Sequence, residues 1–126
     1  WETVFRPCLP QCKDYLVTSL ATASMVKYAE NTFLATKVAF FNQLYDLCDA
    51  ESVDYNLMRE LLVRDSRIGA SHTQVPGPDG NRGFGGHCFP KDTEAFVQYA
   101  RRQQLPFEVL ESVVGYNKKL QKSNKK

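Results

Sequence analysis

The longest stretch without proline or glycine decides the fold, and within it residues 20–50 read LATASMVKYAENTFLATKVAFFNQLYDLCDA. Thr18 or Ser19, just before this stretch, can cap a helix that continues to about Ala50. A helix of roughly 30 residues is about 45 Å long, whereas a sphere of this chain's mass is only about 30–35 Å across. The predicted helix must therefore run alongside other parts of the structure. Its apolar residues recur with a helical period; the main stripe is Leu20, Met25, Ala29, Phe33, Val38, Phe41, Leu44 and Cys48.

Apolar residues also lie off this main stripe. A helix that buries one face needs only one apolar stripe, so more than one face of this helix requires burial. We expect the second face to be covered by another copy of the chain or by a domain outside this sequence, and we favour a homodimer built on the long helix. The additional residues are Val26, Leu34, Phe40, Tyr45 and Leu47.

Three shorter helices are predicted after the long one. The first runs from Tyr55 to about Val63 with Asp54 as its cap. The second starts after Asp92 or Thr93, either of which can cap it, and ends near Gln104. The third spans residues 106–121, because Pro106 is favoured at a helix start. Their expected inward residues are Leu57, Met58, Leu61 and Leu62; Ala95, Phe96, Tyr99 and Ala100; and Val109, Leu110, Val113 and Val114.

A long loop separates the first two helices from the last two, because six of the seven glycines lie between Gly69 and Gly86. Signals for β-strands are almost absent. We therefore predict an all-α fold with one long central helix, three shorter helices and one long loop rich in glycine and proline. The predicted division is a lead-in segment (1–17), a helical domain (18–121) and a lysine-rich tail (122–126).

Composition and charge exclude several classes of protein. Of the 126 residues, 43% are hydrophobic and 24% charged, as in globular proteins. Residues 1–117 carry eleven basic and fourteen acidic residues, a net charge of −3 that disfavours nucleic-acid binding, and no apolar run approaches the ~18 residues of a membrane span. Four cysteines are too few for a secreted disulfide scaffold. We expect a soluble, cytoplasmic protein that binds neither nucleic acid nor membranes, and Trp1 in first place suggests a piece of a longer chain.

The loop carries the residues with chemical potential, and its residues 76–92 read PGPDGNRGFGGHCFPKD. Glycines let backbone N–H groups approach a ligand, and Pro90 fixes a turn before the predicted helix start. Cys88 therefore lies close to a helix N-terminus and beside Lys91. The helix dipole and the ammonium group both favour a thiolate. Cys88 is thus a candidate nucleophile, and an inert buried cysteine is the alternative interpretation.

Two nucleotide-binding interpretations of this loop fail on missing residues. A phosphate-binding loop would need Gly-Lys-Ser/Thr after the glycines and a strand before them. Residues 82–85 partly match an RNA-recognition signature, but Gly86 and His87 stand where an aromatic residue and a strand former belong.

Two further site types also lack residues. A cysteine hydrolase would need a histidine poised at Cys88, and neither His72 nor His87 belongs to a supporting pattern. Cys8 and Cys12 have no second pair at a spacing suited to zinc. We therefore predict no metal site.

Three segments occur in a specific order: residues 27–37 (KYAENTFLATK), residues 65–69 (DSRIG) and residues 83–92 (GFGGHCFPKD). Together they resemble the nucleotide-sugar 6-dehydrogenases, the UDP-glucose and GDP-mannose dehydrogenase family, and the third is similar to the segment that carries that family's catalytic cysteine. The resemblance covers about residues 20–121 and corresponds to the central helical domain of the family.

The resemblance implies a reaction and roles for four residues. It implies oxidation of the sugar C6 alcohol twice with two NAD⁺, giving a uronic acid through a cysteine thiohemiacetal and thioester. Cys88 would then be the nucleophile. Lys27 and Asn31, four residues apart and so on one helix face, would hold the developing oxyanion and a water. Asp92 would orient that water or take a proton.

The same resemblance implies substrate contacts. Arg67 would contact the nucleotide sugar bound to the neighbouring subunit. Phe84, Gly85 and Gly86 would line the sugar pocket, and Lys91 would be a further substrate-binding residue.

The departures from the family pattern leave the substrate open among UDP-glucose, GDP-mannose and other nucleotide sugars. Ser24 stands where a glutamate is usual, and the stretch between Arg67 and Gly83 is longer than in common UDP-glucose enzymes.

The family's NAD-binding Rossmann domain and its C-terminal nucleotide-sugar domain have no counterpart in this sequence. We therefore expect a fragment that supplies the catalytic cysteine and the dimer interface, that does not bind NAD alone and that is inactive alone. The alternative is a non-enzymatic helical dimerisation module that retains the motif.

Overall fold

The computed structural model describes residues 16–124. Residues 1–15 of the predicted lead-in segment and residues 125–126 of the predicted tail lie outside this range. Within it the chain forms four helices and no strand, so the all-α prediction is confirmed. The helices are α1 (Leu20–Ala50), α2 (Tyr55–Leu62), α3 (Cys88–Arg102) and α4 (Glu108–Ser123). None of these described helices combines the length and apolar content that a membrane crossing requires.

The first two helices begin where their capping residues predict. The Ser19 hydroxyl accepts a hydrogen bond from the Thr22 N–H at 3.1 Å, and the Asp54 carboxylate accepts from the N–H groups of Asn56 and Leu57 at 2.8 and 3.2 Å. Each cap satisfies backbone donors that have no partner inside the helix.

The long helix α1 is the support on which the other three pack, and α3 and α4 also pack on each other. Toward its C-terminal end, α1 forms an apolar core with α2 and the loop. The buried members of this core are Phe41, Cys48, Tyr55 and Val75, and Leu44, Tyr45, Met58 and Leu62 pack around them.

The predicted start of α3 is wrong. The helix begins at Cys88, four residues before the expected cap at Asp92, and ends at Arg102. Pro90 is the third residue of this helix, where a backbone N–H would have no helical acceptor, so its lack of an N–H costs nothing. Asp92 and Thr93 are consequently buried inside the helix rather than at its end.

The predicted start of α4 at Pro106 is also wrong, because the helix begins at Glu108. Phe107 has φ −121° and ψ 51°, which is not helical. Its ring packs edge-on against Phe96 with the centroids 5.3 Å apart. This tertiary contact accompanies the later start.

Several predicted inward residues are exposed: Leu20, Met25, Phe33, Leu57, Leu61, Ala95, Tyr99 and Val109. On α1 the buried residues are instead Thr32, Ala35, Ala39, Phe41, Asn42 and Cys48. Small and amide side chains occupy the inner face because α3, α4 and the loop approach α1 closely there. The apolar period alone therefore assigned the wrong face to part of α1.

Candidate active site

A buried carboxylate organises the contact between α1 and the first turns of α3. Asp92 on α3 is only 1% exposed. Asn31 on α1 donates from Nδ2 to Asp92 Oδ2 at 2.6 Å. Lys27 Nζ lies 3.6 Å from the same oxygen, and Lys91 Nζ lies 3.5 Å from Oδ1. The structure thus brings together four residues that the sequence predicted for the site.

These contacts determine the charge state of Asp92. Burial by itself raises the pKa of this carboxyl, but the hydrogen bond from Asn31 and the charges of Lys27 and Lys91 outweigh it, and the pKa lies below its ordinary value. Asp92 is therefore ionised at neutral pH. Its buried Oδ1 faces the Lys91 ammonium at 3.5 Å.

Cys88 is the first residue of α3, and its side chain is exposed. It precedes Asp92 by four residues, so the two lie on one face of the helix, about 6 Å apart along its axis. Because side chains tilt toward the helix N-terminus, the thiol stands at the solvent end of this face while the carboxylate is buried one turn below. A thiol, a fixed carboxylate and two ammonium groups at one helix start can support attack on a carbonyl carbon and activation of water.

The glycines before Cys88 separate two clefts. Gly85 and Gly86 line both, and Phe84 forms part of each wall although it is largely buried. One cleft, of about 560 Å³, extends toward Ser71, His72 and the preceding loop. The other, of about 620 Å³, extends toward Lys91 and α4. The predicted pocket-lining residues therefore border space large enough for a ligand.

Arg67 does not join this group of residues. It is exposed and forms an ion pair with Asp65, with Nη2 and Oδ2 2.6 Å apart. Lys37, within the second half of the quoted α1 motif, holds the turn that carries it, since its Nζ donates to the carbonyls of Ile68 and Gly69 at 2.7 and 2.9 Å. The structure thus places Arg67 on a separate surface that is anchored to α1.

Sequence reasoning missed two buried asparagines that hold the loop. Asn42 on α1 and Asn117 on α4 bond to the backbone of Gly83 and Phe84. The available signal was Asn42 itself, a polar residue directly after Phe40 and Phe41. Its meaning depends on a loop 41 residues later in the chain, which periodicity does not reveal.

Residues 16–124 offer no cradle for a dinucleotide of the Rossmann type, because that site needs a strand-to-helix turn and this range contains no strand. No step of hydride transfer is therefore assigned to these residues. Across the same range no three histidine, cysteine, aspartate or glutamate side chains are grouped as metal ligands would be.

Comparisons with known proteins match nearly the whole chain. A profile of the UDP-glucose/GDP-mannose dehydrogenase family, central domain, matches residues 21–119. The chain is 38% identical over 117 residues to the UDP-glucose 6-dehydrogenase of Rickettsia typhi. It is 40% and 39% identical, over 102 and 116 residues, to the Bacillus subtilis UDP-glucose 6-dehydrogenases TuaD and YwqF. These alignments cover 93%, 81% and 92% of this chain but 26%, 21% and 24% of the three relatives, so the chain spans about a quarter of their length.

Proposed function

The chain belongs to the UDP-glucose/GDP-mannose dehydrogenase family, and we propose that it is the central segment of an NAD-dependent nucleotide-sugar 6-dehydrogenase in which Cys88 is the nucleophile. The observation that carries the proposal is the ionised, buried Asp92, held by Asn31 one helical turn below an exposed thiol. Since the named relatives are UDP-glucose 6-dehydrogenases, UDP-glucose is the proposed first substrate.

In this proposal, the Cys88 thiolate adds to the C6 aldehyde of the sugar and forms a carbon–sulfur bond. The thiohemiacetal would become a thioester when C6 loses a hydride to the NAD⁺ of the full-length protein and the hydroxyl loses its proton. Water then adds to the thioester carbonyl, the carbon–sulfur bond breaks, and the uronate, a proton and the Cys88 thiol are released. The negative charge that develops on the carbonyl oxygen needs nearby donors. Lys27 and Asn31 supply an ammonium and an amide on the helix face that contacts Asp92.

The lowered pKa of Asp92 selects between the two roles that the sequence left open for it. A carboxylate whose pKa lies below its ordinary value is a weak proton acceptor at neutral pH. The charge of Asp92 suits it to hold the Asn31 amide and the Lys27 ammonium in place, since both lie against its Oδ2. We therefore assign Asp92 to fixing Asn31 and Lys27, which would hold the water and the developing oxyanion, rather than to taking a proton.

The proposal includes a homodimer, and an apolar ridge on α1 supports it. Val26, Phe33, Phe40 and Leu47 follow one another at intervals of seven residues and are 59%, 69%, 54% and 58% exposed. This spacing places them along one side of the helix. Such a row of large apolar side chains is suited to a second copy of α1. Arg67 lies on a separate surface anchored to α1, and we propose that it contacts the nucleotide sugar bound to the neighbouring subunit.

Selective alkylation tests the assignment of Cys88 in this chain. Iodoacetamide at neutral pH is expected to label Cys88 at least tenfold faster than the buried Cys48, because Cys88 is exposed at a helix start. Lys91→Ala should slow the labelling of Cys88, and Lys119→Ala, at an exposed position of α4, is the control. Equal rates for Cys88 with and without Lys91 would contradict an activating environment.

The activity is tested in the full-length protein that contains this chain. Cys88→Ser is expected to stop uronate formation from UDP-glucose while a single oxidation can persist. Undiminished uronate formation by this variant would overturn the proposal and would favour the non-enzymatic alternative for this segment. For the chain alone we expect neither NADH binding nor turnover, and a calorimetric titration that gives a micromolar Kd would contradict this.

A further inference from the structure

The loop segment before Cys88 is held from two sides by buried amides. On one side, Asn42 Oδ1 accepts from Arg82 Nε and from the Gly83 N–H, both at 3.2 Å. Its Nδ2 donates a hydrogen bond to the carbonyl of Val38 at 2.9 Å. Asn42 is 1% exposed, so these bonds are shielded from water.

On the other side, Asn117 on α4 pairs with the backbone of Phe84. Its Oδ1 accepts from the Phe84 N–H and its Nδ2 donates to the Phe84 carbonyl, both at 2.8 Å. This is the double hydrogen bond that a neighbouring strand would provide, supplied here by one side chain. It fixes both the position and the orientation of the Phe84 peptide groups.

Gly83 lets the Asn42 and Asn117 amides, which together form the clamp on this loop, bind adjacent residues. Its φ is +79°, and a Cβ at this position would overlap Asn117 Oδ1. The glycine thus allows the backbone to turn and to pass close to the amide at the same point.

The clamped segment is connected to the nucleophile by a short and otherwise pliable link. Only Gly85, Gly86 and His87 separate Phe84 from Cys88. Beyond Cys88, the ring of Phe89 contacts the ring of Phe84 edge-on, with the centroids 6.4 Å apart. Fixing Phe84 therefore restrains the backbone on both sides of the thiol and the glycines that line the two clefts.

We propose that Asn117 and Asn42 are positioning residues that fix the glycine loop so that the Cys88 thiol and the cleft-lining Gly85 and Gly86 keep one geometry. The inference rests on the proposed function for its catalytic consequence, but the clamp itself is a property of this chain. A misplacement of about 1 Å at a reacting group can reduce a rate by roughly 100-fold. Loss of the clamp is accordingly expected to lower kcat more than it changes KM.

The decisive variant is Asn117→Asp, whose carboxylate repels the Phe84 carbonyl and pushes the Phe84 backbone away, so that both hydrogen bonds of the pair are weakened. Asn56→Asp, at an exposed position of α2, is the matched control. In this chain, hydrogen exchange of the Phe84 amide is expected to accelerate at least tenfold in Asn117→Asp, while the Ala39 amide in α1 stays as protected as in the control. In the full-length protein, kcat is expected to fall about 10–100-fold with KM within threefold.

A second variant covers the case in which Asn117→Asp does not fold. Gln121→Ala removes a half-buried amide that donates to the carbonyls of Arg82 and Phe84 at 3.2 and 3.4 Å. We expect it to fold and to lower kcat two- to fivefold with faster exchange at Phe84.

The outcomes separate this inference from the proposed function. Unchanged exchange at Phe84 would show that the clamp does not hold the loop. Faster exchange with kcat equal to that of Asn56→Asp would show that loop order does not position the thiol. If Cys88→Ser in the same protein abolishes uronate formation, either result overturns the positioning role alone. If Cys88→Ser remains fully active, the proposed function has failed instead.

Discussion

The two faces of α1 reverse the usual distribution of polar and apolar residues. Besides Phe41 and Cys48, the inner face buries small and polar residues: Thr32, Ala35, Ala39 and Asn42. The opposite pattern holds on the ridge formed by Val26, Phe33, Phe40 and Leu47, where four large apolar side chains are more than half exposed. A helix of a self-sufficient monomer would carry these residues the other way round.

The contrast shows that the two faces serve different kinds of contact. On the inner face, small side chains let neighbouring elements approach, and Asn42 satisfies backbone groups of the loop. Such a face is held by directional hydrogen bonds and close packing more than by a large buried apolar area. The ridge, in contrast, offers apolar area that contributes to stability only when something covers it.

The largest effect is expected from placing charge on the ridge. Phe33→Glu combined with Phe40→Glu should convert the proposed homodimer into a monomer of 14.3 kDa and raise the dimer Kd by about 1,000-fold or more, because central aromatic contacts can each contribute 2 kcal/mol or more. Light scattering at micromolar concentration measures the mass, and circular dichroism should show unchanged helix content.

The control for charge alone is Gln43→Glu, at an exposed position of α1, which should leave the mass unchanged. A wild-type chain that is already monomeric under these conditions would refute the role assigned to the ridge.

A smaller effect is expected from making the inner face apolar. Asn42→Leu is similar in size but leaves the Gly83 N–H and the Nε of Arg82 without their acceptor. It should lower the free energy of unfolding by roughly 1–3 kcal/mol, the range for a buried group left unpaired. Urea denaturation is the measurement, with Gln43→Leu on the same helix as the control. A more stable Asn42→Leu variant would mean that the inner face behaves as an ordinary apolar core.

The smallest effect is expected for the charge of Asp92. Its pKa lies below the ordinary 3.8, so the folded state binds its proton less readily than the unfolded state. The stabilisation is therefore complete above about pH 4 and is lost as the pH falls through the lowered pKa. Asp92→Asn should cost roughly 1–2 kcal/mol at pH 7, and the cost should shrink near pH 3.

Chemical denaturation at the two pH values measures this difference, and Asp49→Asn, at an exposed position of α1, is the control. A cost for Asp92→Asn that does not depend on pH would contradict the role of the carboxylate's charge.

The parts of the fold that depend on local chemistry could be predicted from the sequence. The starts of α1 and α2 follow from Ser19 and Asp54, whose side chains bond to nearby backbone groups. The convergence of Lys27, Asn31 and Asp92 was predicted by family resemblance. Helical spacing alone placed only the first two on a common face.

The remaining features depend on contacts between distant residues. The start of α3 at Cys88 requires the burial of Asp92 against α1, and the inner face of α1 depends on the loop bonded to Asn42. The start of α4 coincides with the packing of Phe107 on Phe96. In each case a tertiary interaction prevailed over the local pattern on which the prediction was based.

The two bonds from Lys37 to the carbonyls of Ile68 and Gly69 make the turn that carries Arg67 travel with α1 as one rigid piece. The ridge repeats every seven residues, so two copies of α1 have more than one way to align in registry. A slip of one repeat along the helix displaces the turn by about 10 Å relative to the other copy. In the proposed homodimer, the registry of the helix pair would therefore set the distance from Arg67 to the neighbouring subunit's site, and the Lys37 bonds would couple the two.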